Sequence, residues 1–309
     1  MSLPIIERPP ARPRLPEWLR VQLPAGRAQA VFNLTDTAVH GNSLHTVCEE
    51  ARCPNVHECW SQGTATFMIA GQSCTRGCRF CSVETIKTPP PPDADEPRRL
   101  ADAVARLQIE HVVITVVNRD DLPDDGAAHY RACVDAVHAA RPATTIELLS
   151  SDLSGNWAAL SALLQGAPLD VFAHNVECAP RLDREVRDPR ATFALSLDVL
   201  RRAKRLRPDI ATKSSLMVGL GETDDEVIDA LRQLRAADVD LLTVGQYLAP
   251  GRPGTRFLPV NRYVEPAQFA TWERTAIDLG FRGVAAGPLV RSSYRAGELL
   301  AEARRSGSK

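Results

Sequence analysis

Cys74, Cys78 and Cys81 stand in the stretch GQSCTRGCRFCSVE, spaced C-x3-C-x2-C, directly after the apolar run ATFMIAG. Three thiols are an odd number for disulfides and one short of a closed four-thiolate metal site. A four-iron, four-sulfur cluster held by three thiolates keeps one iron with an open coordination position, and an open position is where chemistry can occur. The bland alternative is a zinc site completed by a distant histidine, although zinc knuckles usually pair thiols as C-x2-C with a second pair well separated. A second triplet, Cys48, Cys53 and Cys59, lies upstream in CEEARCPNVHEC with the spacing C-x4-C-x5-C. On spacing alone it suits an iron-sulfur cluster or a zinc site completed by His45 or His57. Six of the eight cysteines in this 309-residue chain fall between residues 48 and 81. Such clustering points to metal binding or catalysis rather than to a disulfide framework. Cys133, on the apolar face of a predicted helix, reads as a small buried hydrophobe.

The elements that must position these thiols follow from the hydrophobic pattern. Apolar, β-branched runs at 65–71, 111–117, 144–150, 170–177, 212–220 and 241–248 read as strands, each followed by an amphipathic helix, near 95–107, 126–140, 156–165, 192–206, 223–237 and 266–279. The helix beginning TDDEVIDALRQL is the best marked: Thr223 and Glu226 form a capping box, and Val227, Ile228, Leu231 and Leu234 share a face. Six βα units are too few for a closed eight-stranded barrel. The expected fold class is therefore α/β, a partial (βα)6 TIM-type barrel with N- and C-terminal extensions, its working face at the C-terminal ends of the strands. The cysteine loop, NRDDLPDDG and GLGETDDE then all open on one mouth. Residues 1–62 form an N-terminal extension carrying the second triplet, 63–280 the barrel and 281–309 a C-terminal extension. The linker KTPPPPDADEPRR is expected to be extended.

Composition narrows the partners. Hydrophobic residues make up 44% of the chain and charged ones 24%, as in an ordinary globular protein, and the formal net charge is -1. That balance argues against general affinity for nucleic acid or an anionic membrane. No run of about 18 apolar residues suggests a membrane span and no apolar core suggests a signal peptide, so the expected location is cytoplasmic.

The motif C-x3-C-x-Φ-C, with Phe80 just before the last cysteine and a strand just before the loop, resembles the signature of radical S-adenosylmethionine enzymes. The resemblance implies that the amino and carboxylate groups of S-adenosylmethionine chelate the open iron. Reductive cleavage then yields methionine and a deoxyadenosyl radical that abstracts hydrogen from an unactivated carbon. The upstream triplet, together with NRDDLPDDG, AHNVE, TKSSLMVGLGET, QYLAP and GPLVRSSYRA, is similar to the lipoyl synthase family over most of the chain. Departures are Ala127, where a second glycine is common, and Cys178, where threonine is common.

That likeness implies two 4Fe-4S clusters. The auxiliary one is held by Cys48, Cys53, Cys59 and a serine of Arg291-Ser292-Ser293-Tyr294, taken as Ser293 with Ser292 as the alternative. By themselves these residues would read as a serine-capped helix start. Asn118 and Asp120 lie where the superfamily holds the methionine amino group, Asn175 and Glu177 where ribose hydroxyls could bond, and Glu222 in a GLGE turn suited to adenine packing. Phe80 and Arg291 complete the expected cofactor contacts. Lys213 could pair with a carboxylate, and His174 should face away as a structural residue. The implied reaction inserts two sulfur atoms, at C6 and C8 of an octanoyl group amide-linked to lysine, with the auxiliary cluster as sulfur donor. Implied partners are an octanoylated lipoyl carrier domain or glycine-cleavage H protein, and an electron donor such as flavodoxin or ferredoxin.

Overall fold

Each of the six apolar runs becomes a strand. In a computed structural model that describes residues 15–21, 25–42, 44–51, 53–61, 65–251 and 255–306, the strands are β1 (His45–Thr46), β2 (Thr66–Ile69), β3 (Ser73–Cys74), β4 (Glu84–Thr85), β5 (His111–Val116), β6 (Thr145–Leu149), β7 (Val171–Ala173), β8 (Ala211–Val218), β9 (Leu241–Gln246) and β10 (Gly283–Gly287). The Pro/Arg-rich arm over residues 1–14, and the domain boundary placed between residues 62 and 63, lie outside the described residues. The main sheet has the order β1-β2-β5-β6-β7-β8-β9-β10, parallel throughout except for the antiparallel pair β1 and β2. Its edges do not pair with each other, so the sheet curls into an open half-barrel. Every residue of β2, β7 and β9 is buried, as expected where a parallel sheet is covered on both faces.

The helices are α1 (Arg27–Gly41), α2 (Val47–Glu50), α3 (Val56–Ser61), α4 (Glu96–Arg106), α5 (Ala127–Ala140), α6 (Trp157–Leu164), α7 (Asp183–Val186), α8 (Phe193–Leu206), α9 (Asp224–Ala236), α10 (Pro266–Asp278) and α11 (Ala296–Ser306). The capping box of α9 is present as read, with both reciprocal bonds made. Its Val227, Leu231 and Leu234 are fully buried, each contributing about 1.5–3 kcal/mol. The linker 87–99 is not extended throughout: α4 starts inside it at Glu96, with Pro97 in the first turn, where a missing N–H costs nothing.

Two features lie beyond the six-unit pattern. β10 adds a parallel strand beside β9, inside the segment read as the C-terminal extension. α11 then crosses the base of the barrel: Leu299, Leu300 and Ala303 pack on Val171 and Leu241, the first residues of β7 and β9, and Gly297 lies against His111, the first residue of β5. The base is thereby plugged, and the mouth at the other strand ends is left for chemistry.

Candidate active site

The chain leaves β2 through Ala70 and Gly71, both at positive φ (69° and 104°), and this sharp turn swings the three-cysteine loop over the barrel mouth. Both backbone groups of Ala70 are held by buried side chains: its N–H donates to Glu96 Oε2 (2.8 Å) and its carbonyl accepts from Arg119 Nη1 (3.0 Å). Within the loop, Cys74 Sγ accepts from the Arg76 N–H at 3.4 Å and Cys78 Sγ from the Asp188 N–H at 3.3 Å. Burial pushes the Cys78 thiol up to about 11 and that of Cys81 to about 12, so without metal these groups stay neutral. A bound metal reverses that preference by making the sulfur anionic, which the two N–H donors suit.

Arg76, the central residue of the first spacer, is buried and forms ion pairs with Asp120 (2.9 Å) and Asp152 from the loops after β5 and β6. Arg190 adds bonds to Asp120, Asp188 and the Thr75 carbonyl. Neither arginine stood out in the sequence, because nothing in a linear motif shows which carboxylates a spacer residue will meet.

The mouth holds a cavity of about 930 Å³. Cys74, Cys78 and Cys81 line it with Phe80, Asn118, Asn175 and Glu177, and Cys48, Cys53, Arg291, Ser292 and Ser293 line it too. Glu177 sits at φ 68° with its carboxyl raised by burial, and its backbone is pinned to Ser215 and Met217 across β8. Three expected contacts are not brought into this cavity. The Asp120 carboxylate is taken up by Arg76, Arg190, Thr75 and Ser154. Lys213 pairs with Glu147 at 2.8 Å in the buried interior. Glu222 accepts from the N–H groups of Gly219 (2.6 Å) and Leu220 (2.9 Å), closing its own turn. His174, expected to face away, instead lines the cavity beside Asn175 and Glu177; its ring nitrogens are taken up by the Ser150 carbonyl and Ser196 Oγ, and burial lowers it to about 4, so it is neutral.

The second triplet surrounds a small hollow of about 20 Å³, with Cys48, Cys53 and Cys59 joined by Asn55, Thr66, Arg291, Ser293 and Tyr294. Ser293 lines this hollow and the large cavity, whereas Ser292 lines the large cavity alone. The C-terminal motif is drawn in by three ties: Asn55 Nδ2 to the Leu289 carbonyl (2.6 Å), Tyr294 Oη to Glu58 (2.9 Å) and Thr66 Oγ1 to Ser293 Oγ (2.8 Å). Burial raises Cys59 to about 12. The Trp60 indole N–H is buried without an acceptor and lies beside the Cys48 thiol, so a sulfur made anionic by metal would satisfy it.

The donor spacing discriminates between metals. Among the described residues, only Glu96, His129 and Cys133 bring three donor atoms within 4.8 Å of one another. A tetrahedral zinc with 2.3 Å bonds would hold its sulfurs roughly 3.8 Å apart. Neither cysteine triplet brings its three sulfurs within 4.8 Å of one another, a spacing wider than a single zinc ion holds.

A half-barrel with C-x3-C-x2-C on the loop after its first parallel strand defines a class, and the chain matches the radical SAM superfamily model over residues 68–234. The same fold occurs in methylornithine synthase (TM-score 0.52, 14% identity, 82% of this chain and 77% of that one). It occurs also in the FeFe-hydrogenase maturase HydG from Carboxydothermus hydrogenoformans (TM-score 0.53, 13% identity, 90% and 75%). Membership of that class carries a 4Fe-4S cluster and S-adenosylmethionine with it. Residues 6–53 match the N-terminal domain of lipoyl synthase. The lipoyl synthase of Anaeromyxobacter sp. is 52% identical over 93% of this chain and 95% of its own. That of Thermus thermophilus is 50% identical (93% and 87%), and the mitochondrial one of Homo sapiens 48% (94% and 77%). The chain belongs to the lipoyl synthase family and is a radical S-adenosylmethionine enzyme. Lipoyl synthases act on lipoyl carrier proteins. No helix among the described residues is long and apolar enough to cross a membrane.

Proposed function

We propose that this enzyme inserts two sulfur atoms, at C6 and C8 of an octanoyl group amide-linked to a lysine of a lipoyl carrier domain or glycine-cleavage H protein. The carrying observation is that the three cysteines of the first set and two of the second, Cys48 and Cys53, line one cavity, with Cys59 and a serine from the far end of the chain in the adjoining hollow. Cys74, Cys78 and Cys81 hold the radical cluster and leave its fourth iron to S-adenosylmethionine. Asn118, Asn175, Glu177, Phe80 and Arg291 are placed to contact that cofactor from the cavity wall. Asp120 acts on it only at one remove, through Arg76, whereas Lys213 with Glu147, and Glu222 with its turn, hold the barrel rather than the cofactor. Cys48, Cys53, Cys59 and Ser293 hold the auxiliary 4Fe-4S cluster, from which the sulfur is drawn.

Reduced by one electron from a donor such as flavodoxin or ferredoxin, the bound cofactor supplies a deoxyadenosyl radical able to attack a C–H bond that no acid or base can reach. The protein's part is position and exclusion of water. An octanoyl chain in this cavity would lie among both cysteine sets, and Val47, Met68, Val117 and Val290 in the lining would keep its surroundings apolar. Serine oxygen is a harder and weaker donor to iron than thiolate, so Ser293 would be the ligand most easily given up if the auxiliary cluster were opened. We place the N-terminal extension over residues 1–62, the barrel over 63–280 and the C-terminal extension over 281–309, with the enzyme acting in the cytoplasm.

Elemental analysis of the anaerobically reconstituted chain tests this reading. Two clusters predict about eight irons per chain, and stoichiometric zinc would contradict it.

A further inference from the structure

β2 serves both cysteine sets with one face. Side chains alternate along a strand, so Thr66 and Met68 point the same way. Met68 lines the large cavity and Thr66 lines the small hollow of the second triplet. The β1–β2 register, His45 to Met68 and Thr46 to Phe67, leads the chain into Cys48 alongside Thr66, whose backbone and hydroxyl lie against the Cys48 thiol. Thr66 is 4% exposed, and its hydroxyl oxygen lies 2.8 Å from Ser293 Oγ.

We propose that Thr66 is a positioning residue for the auxiliary cluster, its hydroxyl donating to Ser293 Oγ and holding that oxygen on the iron; this rests on the serine ligation proposed above. Between two free hydroxyls either oxygen can donate. An oxygen bonded to iron as serinate has no proton to give, so Thr66 must be the donor. Its bond to an anionic oxygen is then charge-assisted, roughly twice as strong as a neutral one. The bond also selects the serine. Ser292 does not reach the hollow, whereas Ser293 is held there by a strand residue that the fold cannot move. The same hydroxyl lies against the Cys48 thiol, so Thr66 sits between a sulfur and the oxygen of the second set.

The test compares Thr66→Val, isosteric but without a donor, with Thr66→Ser and Ser293→Ala in the reconstituted full chain. Thr66→Ala is carried alongside in case valine does not fold, and melting temperature reports on folding. Two readouts are taken. One is the 57Fe Mössbauer component of the oxygen-ligated iron. The other is the rate at which an iron(II) chelator removes iron with S-adenosylmethionine saturating. Removing a partner that orients a metal ligand typically costs about 10–100-fold in metal affinity. Thr66→Val and Thr66→Ala should therefore alter the oxygen-ligated component and release one cluster's iron about 10-fold faster or more, while Thr66→Ser stays near wild type. A wild-type spectrum and rate in Thr66→Val, with both changed in Ser293→Ala, would overturn the role of Thr66 alone. Wild-type behaviour in Ser293→Ala as well would overturn the serine ligation beneath it. Thr66→Ser altered as strongly as Thr66→Val would overturn the proposal, because a hydroxyl at this position would then not suffice to hold the serine.

Discussion

Cys74, Cys78 and Cys81 lie on one short braced loop, whereas Cys48 and Cys59 sit on two short helices with Cys53 between them, and residues from the opposite end of the chain close the set. The radical loop is fixed by backbone N–H donors to two of its sulfurs, by the buried Arg76 and by the clamped turn at Ala70. The second set has three side-chain ties to residues 289–294, one of them from a threonine to its serine. The loop that must survive every turnover is over-determined. The set proposed to be opened is closed by a few individual bonds, so each is a point at which the account can be tested.

The largest expected effect is on the radical set. Cys74→Ala should abolish deoxyadenosine formation from S-adenosylmethionine under reductant, with or without an octanoylated carrier peptide; any substantial deoxyadenosine would remove that loop from the radical chemistry. Next in size is Arg76→Met, which leaves Asp120 and Asp152 as buried charges without their shared cation. Breaking such a pair costs about 3–5 kcal/mol, visible as a lower midpoint in denaturant. On the auxiliary side, Tyr294→Phe removes a single bond to Glu58, worth about 0.5–1.5 kcal/mol, and should leave deoxyadenosine formation without the peptide unchanged. The smallest effect concerns acid. The Arg190 guanidinium and the Gly77 N–H hold the Asp188 carboxyl below its ordinary value of 3.8. A carboxyl depressed on folding stabilises the protein above that value and loses its contribution as pH falls below it. Asp188→Asn should flatten the decline of stability below about pH 4, only modestly because Arg190 is half exposed.

The two sets also differ in how far the sequence reveals them. The radical loop is contiguous and follows a strong apolar run, so its thiols, its strand and the barrel order are readable from spacing and periodicity. The cysteines of the second set are readable too, but Ser293 bonds Thr66 across 227 positions of sequence, and only family likeness pointed to the serine. Carboxylates were read least well. Asp120 and Glu222 sit on mouth loops as expected, yet their partners are Arg76 with Arg190 and the turn's own N–H groups, which no local pattern discloses. β10 was missed because GVAAG has little β-branched character and gains its place from pairing with β9.

The central claim is that one cysteine set starts the radical and the other supplies sulfur. A single-turnover assay on Cys53→Ala, with octanoylated carrier peptide, S-adenosylmethionine and reductant, tests it most directly. The account predicts that deoxyadenosine still forms while the peptide gains no sulfur; a thiolated octanoyl group on that peptide would contradict it.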